Sequence, residues 1–475
     1  MNHRPPALIT VLLLSLVLTL PAAAPSRACS SFMLHKGDTL VFGHNLNEGD
    51  IGVPGMLFIN KRGVFKTGRT WSELFNSDGS NPSSVAWISR FGSVTVNCFG
   101  RDFPDGGINE TGLFIWEMNE DGEYPKNESF PRLMHMNWMQ YVLDTCATVD
   151  EALASAAHTE IDGWPWHYFI GDAMGNCAAL AFIEGKPVVN RGETMPVPGL
   201  FNTPYDREME LLRYFDGFGG RYEPLLDEAA IPRFVKTAVM VRDYDPAQDA
   251  VAYGLQMLEN LTVNDVPEWS VLCDAANRGI YFRTRLNPEV KSLSMDDIDF
   301  SNAGPALVLD IDQPQGGDVR NRLHPYTDRE MRNLLQRLAA IPELPGTFFT
   351  GGGLTVEQFV TRFTEHWRRA LDTGPQRLAG VWETSPGDEK AALEGTVVLR
   401  VDGNAVSGEI SNASGSVDHA PLAHLRLVAD RLTFTFRTAS GSIMEASGVV
   451  EGDRMTLRLR GIEDDYGQVV FARQP

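Results

Sequence analysis

Cys29 follows the stretch Pro21-Ala22-Ala23-Ala24-Pro25-Ser26-Arg27-Ala28, in which Ser26 and Ala28 supply the small-x-small pattern at which a leader is cut. Cleavage after Ala28 makes Cys29 the first residue of the mature chain. An N-terminal cysteine brings its own base, because the α-amine titrates near about pH 8 and the thiol near about 8.5. One residue then offers a nucleophile and a proton acceptor, which is the chemistry of attack on an acyl carbon. Cleavage after Ala24 also fits the composition, but leaves Pro25 to Ala28 ahead of the thiol.

The leader itself reads as a secretory signal. His3 and Arg4 form its basic start, and Ala7 to Leu20 is an uncharged apolar run, shorter than the roughly 20 residues that span a bilayer. The destination expected is the periplasm or the exterior. A lipid anchor on Cys29 is the competing reading, but it calls for an aliphatic residue three positions before the cysteine and a small one two before, where Ser26 and Arg27 stand.

Other chemistries find little support. The five cysteines are an odd number without Cys-x-x-Cys spacing, so neither a zinc ribbon nor a thioredoxin-like motif is present and no pairing is assigned. No His-Glu-x-x-His, Walker loop or dinucleotide fingerprint occurs. Gly351-Gly352-Gly353 lacks the Lys-Ser/Thr ending of a phosphate cradle and precedes a capping box at Thr355 and Gln358. With 41 basic against 62 acidic residues, a net −21, the surface repels nucleic acid and anionic lipid.

Behind Cys29 stand motifs whose order and spacing matter together. Cys29-Ser30-Ser31-Phe32, followed by Phe42-Gly43-His44-Asn45-Leu46-Asn47, resembles the opening strand and Gly-Arg-Asn-x-Asp turn of the choloylglycine hydrolase and penicillin V acylase family of N-terminal nucleophile amidases. Gly107-Ile108-Asn109-Glu110-Thr111-Gly112-Leu113 is similar to that family's hairpin, with Asn119 ten residues beyond Asn109. Phe201-Asn202-Thr203-Pro204 and Pro232-Arg233-Phe234 resemble its asparagine and arginine segments.

The resemblance spans about residues 29 to 300. It implies an α+β fold, a four-layer αββα sandwich, with Cys29 as nucleophile, Asn202 and Asn119 holding an oxyanion, and Arg233 lowering the thiol pKa. It implies neither metal nor organic cofactor. The partner implied is a small N-acylated substrate, with no nucleic acid and no membrane span, and the oligomeric state stays open. Two positions depart from the pattern: His44 replaces the family arginine and Asn47 its aspartate, so the amine-orienting charge becomes neutral. Glu48 or Asp50 is then the nearest carboxylate to stand in. These departures also motivate a second reading, a catalytically silent binding protein on the same fold.

The elements that must position these residues follow from local pattern. Residues 1–28 form the signal and 29–302 the sandwich, where strands at Ser31 to Leu34, Thr39 to Gly43 and Met56 to Asn60 precede a helix over Leu133 to Thr145 and another at Arg233 to Arg242. Residues 303–374 predict a helical connector with amphipathic helices over Asp328 to Ala340 and Val356 to Leu371. Residues 375–475 predict a small antiparallel β-sandwich or lipocalin-like domain, its strands separated by turns such as Asp402-Gly403-Asn404 and Glu451-Gly452-Asp453. Trp116, Trp164 and Trp166 read as core aromatics or as the wall of an acyl pocket; core is the commoner role for strand aromatics.

Overall fold

The computed structural model describes residues 29–474 apart from 50, 76–82, 84, 263–265, 303, 343–353, 374, 385–393, 403–404, 429–430 and 462–464. The proposed signal, the Gly351–Gly353 run and the centre of the 402–404 turn therefore lie outside the described residues.

Two large sheets face each other between helices. The first runs, in spatial order, through Gly199–Phe201, Ser30–Lys36, Thr39–Leu46, Trp269–Asp274, Gly279–Thr284, Lys291–Ser294 and Gly317–Asp318. The second has Lys186–Arg191, Cys177–Ile183, Trp166–Gly171, Phe114–Asn119, Gly106–Asn109, Ser93–Asn97, Met56–Asn60, Leu307–Asp310 and His324–Pro325. Arg233–Asp243 and Ala250–Asn260 cover the first sheet, and His135–Thr145 and Val149–Ala157 the second. This is the expected αββα order.

Side chains of alternate parity meet between the sheets. Phe42 stacks on Phe114 with centroids 4.9 Å apart, His44 on Trp116 at 4.5 Å, and Ser31 meets the Met118 sulfur at 3.3 Å. Two glycines make room for rings, Gly106 in the inter-sheet layer and Gly43 on the opposite face of the first sheet. A Cβ on Gly43 would lie 2.4 Å from the Phe32 ring, its register partner, and one on Gly106 2.2 Å from Trp116, likewise its partner. Alanine at position 106 would push Trp116 out of the inter-sheet layer, and alanine at position 43 would displace Phe32 on the helix-covered face of the first sheet.

The 303–374 segment differs from a free-standing connector. Leu307–Asp310 pairs with Met56–Asn60 in the second sheet, and Gly317–Asp318 extends the first, so the expected boundary at 302 falls inside the sandwich. Strands of two to four residues around a Gln-Pro-Gln-Gly-Gly turn are too short to show a two-residue period. The helices Asp328–Ala339 and Val356–Thr373 are present, and Thr355 with Gln358 forms the expected reciprocal cap. Phe359 and Phe363 pack among Phe75, Phe99 and Phe103. A smaller shift affects the expected helix over Leu133 to Thr145: Arg132–Met134 is a short strand parallel to Glu160–Asp162, and the helix begins at His135.

Strands from Gly380–Thr384 to Asp465–Arg473 form one antiparallel sheet of nine strands with its own apolar core around Trp382, Phe434 and Phe471. They follow one another up and down, and Gly380–Thr384 also pairs with Asp465–Arg473. The order is therefore cyclic, interrupted only between Ala420–Pro421 and Ala423–Val428. The strands thus belong to one sheet with an up-and-down order.

Candidate active site

Cys29 immediately precedes the opening strand and is buried. Its neighbours are brought by the ends of elements. Arg233 is the first residue of its helix, where a cation opposes the helix dipole; its guanidinium instead donates to the Cys29 carbonyl at 2.6 Å and to Ser30 Oγ at 2.7 Å, and lies over the Phe201 ring. Burial pulls Arg233 down to about 10, which leaves it charged at neutral pH. Asn202 follows the edge strand that pairs with the Cys29 strand.

Asn119 ends its strand in the opposite sheet. Asn202 Nδ2 donates to the Asn119 carbonyl at 3.3 Å, Asn119 Nδ2 to Glu48 Oε1 at 3.2 Å, and Trp166 Nε1 to Asn119 Oδ1 at 3.0 Å. Each amide nitrogen keeps a second hydrogen. The two asparagines expected to share a role thus touch, and Trp166 fixes which face Asn119 presents.

The other two expected residues are used differently. His44 is fully buried on the inter-sheet face, hydrogen-bonded through Nδ1 with Ser31 Oγ at 2.9 Å, and burial holds its imidazole well below its ordinary pKa. It is a neutral structural group. Asn47 meets the Cys29 thiol through its backbone carbonyl, with Sγ 3.9 Å away, while its side-chain oxygen accepts from Gly49 N–H at 3.1 Å. Asp50 lies outside the described residues.

The thiol departs from expectation too. Burial, then the nearby carboxylates of Glu117 and Glu48, push the Cys29 thiol well above its ordinary value; the Asn47 backbone and Arg233 act against them with smaller effect. Arg233 pulls in the expected direction and is outweighed. In this chain the Cys29 nitrogen is a peptide nitrogen, so no ammonium stands beside the sulfur to lower it.

A cavity of about 470 Å³ opens beside the asparagines, walled by Glu48, Asn119, Asn202, Trp164, Trp166 and, from the 328–339 helix, Leu338. The tryptophans belong to the pocket as much as to the core. Glu117, Cys98 and Asp105, also in its wall, escaped the sequence reading. A carboxylate in the otherwise apolar strand Phe-Ile-Trp-Glu-Met-Asn was the visible anomaly, two residues from Asn119 and so on its face.

Asp105 accepts from Cys98 N–H at 2.7 Å and from Cys98 Sγ at 3.1 Å. Burial nonetheless raises its carboxyl to about 7, with the Glu48 charge adding to the rise. Asp105 therefore holds its proton more tightly folded than unfolded, and the stability this contributes is present below about pH 4. It is lost as pH rises to about 7. In urea titrations, Asp105→Asn should gain relative to wild type between pH 5 and 8; a constant difference would contradict the shift.

The fold is shared with a solved penicillin V acylase. At the level of sequence, the chain is similar to penicillin V acylase of Pectobacterium atrosepticum, 25% identical over 354 residues that cover 64% of this chain and 90% of that one. Among solved structures, penicillin V acylase from Agrobacterium tumefaciens matches with a TM-score of 0.53 and 22% identity, over 63% of this chain and 98% of that one. A variant of conjugated bile acid hydrolase from Clostridium perfringens matches with a TM-score of 0.46 and 15% identity, over 59% and 97% of the respective chains. No family model matches.

Proposed function

We propose that the chain is an exported cysteine amidase that hydrolyses a linear amide bond in a small N-acylated substrate, after removal of residues 1–28 has freed the Cys29 amine. The observation that carries this reading is a chain of contacts, in which Arg233 holds the Cys29 carbonyl and Asn202, next to the strand that pairs with the one after Cys29, donates to Asn119, in a chain similar to penicillin V acylase. The Cys29 sulfur forms a C–S bond to the acyl carbon as the C–N bond breaks. The thiol proton passes through the α-amine to the leaving nitrogen, and water then cleaves the thioester, restoring the thiol and releasing a carboxylic acid. Asn202 and Asn119 donate to the tetrahedral oxyanion; Arg233 anchors the first residue by its carbonyl.

Two measurements test it. Intact mass and N-terminal sequencing of the exported protein should find unmodified Cys29 first; an added lipid or an upstream start would remove the amine base. Asn202→Ala should lower kcat by about 100- to 1,000-fold, as loss of one oxyanion donor does, with little change in KM. A silent binding protein, favoured by the neutral His44 and Asn47, would show no turnover that Cys29→Ala could remove.

A further inference from the structure

The wall of the cavity is chemically one-sided. Glu48, Asp105, Glu117, Glu120 and Asp121 all line it, and no lysine, arginine or histidine is among its described lining residues. The carboxylates are dispersed around the wall: among the described residues no three His, Cys, Asp or Glu side chains form a group of metal-binding size.

Glu120 gives the wall a direction. Its side chain is almost buried, the residue 8% exposed, yet neither carboxylate oxygen accepts a hydrogen bond. His167 Nδ1 lies 3.5 Å from Glu120 Oε2 and pairs with it only when the imidazole is protonated. A buried carboxylate without a donor carries a cost that a cationic ligand in the cavity would relieve. Trp164 and Trp166 add aromatic faces of the kind that attract a cation, and the net charge of −21 draws cations toward the protein.

We infer that the substrate is a cationic amide, an N-acyl compound carrying a second, protonated amine that seats against Glu120 and the neighbouring carboxylates. The inference rests on the amidase reading of the same site. An anionic amide would meet an acidic wall with no basic side chain among its described lining residues, and a neutral one would give Glu120 no new partner.

Binding and turnover separate the two claims. Calorimetric titration of Cys29→Ala, beginning at residue 29, uses three phenylacetyl amides of equal length: of 1,4-diaminobutane, of pentylamine and of 4-aminobutyrate. A second set carries the ammonium on the acyl side. The ammonium compound of at least one set should bind about tenfold or more tighter than its neutral partner, as a charged hydrogen bond predicts, and the anion should bind weakest. Glu120→Gln should shrink that ratio, and so should Asp121→Asn, at an exposed position that tolerates substitution. Equal affinities within both sets, or preference for the anion, overturn the inference whatever the turnover. Cation-selective binding without hydrolysis by the Cys29 protein would sink the amidase reading and leave the cationic cavity standing.

Discussion

Cys29→Ala should abolish amide hydrolysis, with a loss above about 10,000-fold in kcat, because the nucleophile leaves and only the α-amine, the oxyanion donors and the cavity remain. Substrate binding should survive, since the cavity wall is untouched. Cys29→Ser keeps the amine and offers a poorer nucleophile in the same buried place, so a measurable remnant is expected there. Turnover unchanged in Cys29→Ala would end the cysteine mechanism. A chain that retains its leader should be as inactive as the alanine variant: its thiol is buried, raised well above the ordinary value and has no amine beside it. Leader removal would then be the activating step.

The second large effect concerns stability. Lys66 is buried on the short strand Phe65–Thr67, with Nζ 2.8 Å from Asp102 and 3.0 Å from Asp144. Asp144, on the helix His135–Thr145, also accepts from Trp87 Nε1 at 2.7 Å and Gln140 Nε2 at 2.8 Å. Lys66→Met leaves two carboxylates facing each other without their cation and should cost about 3–5 kcal/mol in urea unfolding. Adding Asp102→Asn and Asp144→Asn should recover much of the loss. A single-variant loss below about 1 kcal/mol would show that solvent reaches the triad. Asp102 shares a loop with Cys98, Phe99 and Asp105, so the weakened variant should also lose ligand affinity.

The sequence reveals chemistry best where it sits at the ends of elements. The resemblance singled out Asn119, Asn202 and Arg233, which close, follow or open a strand or helix; Arg233 holds the Cys29 carbonyl, Asn202 follows the strand paired with the one after Cys29, and Asn119 accepts from Asn202. His44 was harder to place, because type alone gives a histidine a role in chemistry. Its neighbours two residues away, Phe42 and Leu46, are both buried, and in a strand that assigns it to the same inner face. Tertiary approach fixed the balance at the thiol: Glu117 comes from a different sheet, and no local pattern reports how its charge weighs against Arg233. The strands Leu307–Asp310, Gly317–Asp318 and His324–Pro325 escaped for a different reason, being shorter than any period they could display.

The cyclic strand order of the C-terminal domain has a consequence for synthesis. Trp382 pairs with Arg473, so that sheet cannot close until nearly every residue of the domain has been made. The strands of the sandwich are all complete by Pro325. Domains fold as units as they emerge, amino-terminal first, so the sandwich is assembled while the terminal sheet still waits for its last strand. A nonsense codon in the final twenty or so positions should therefore leave the site intact and an open β-edge exposed, a lesion of aggregation and not of chemistry.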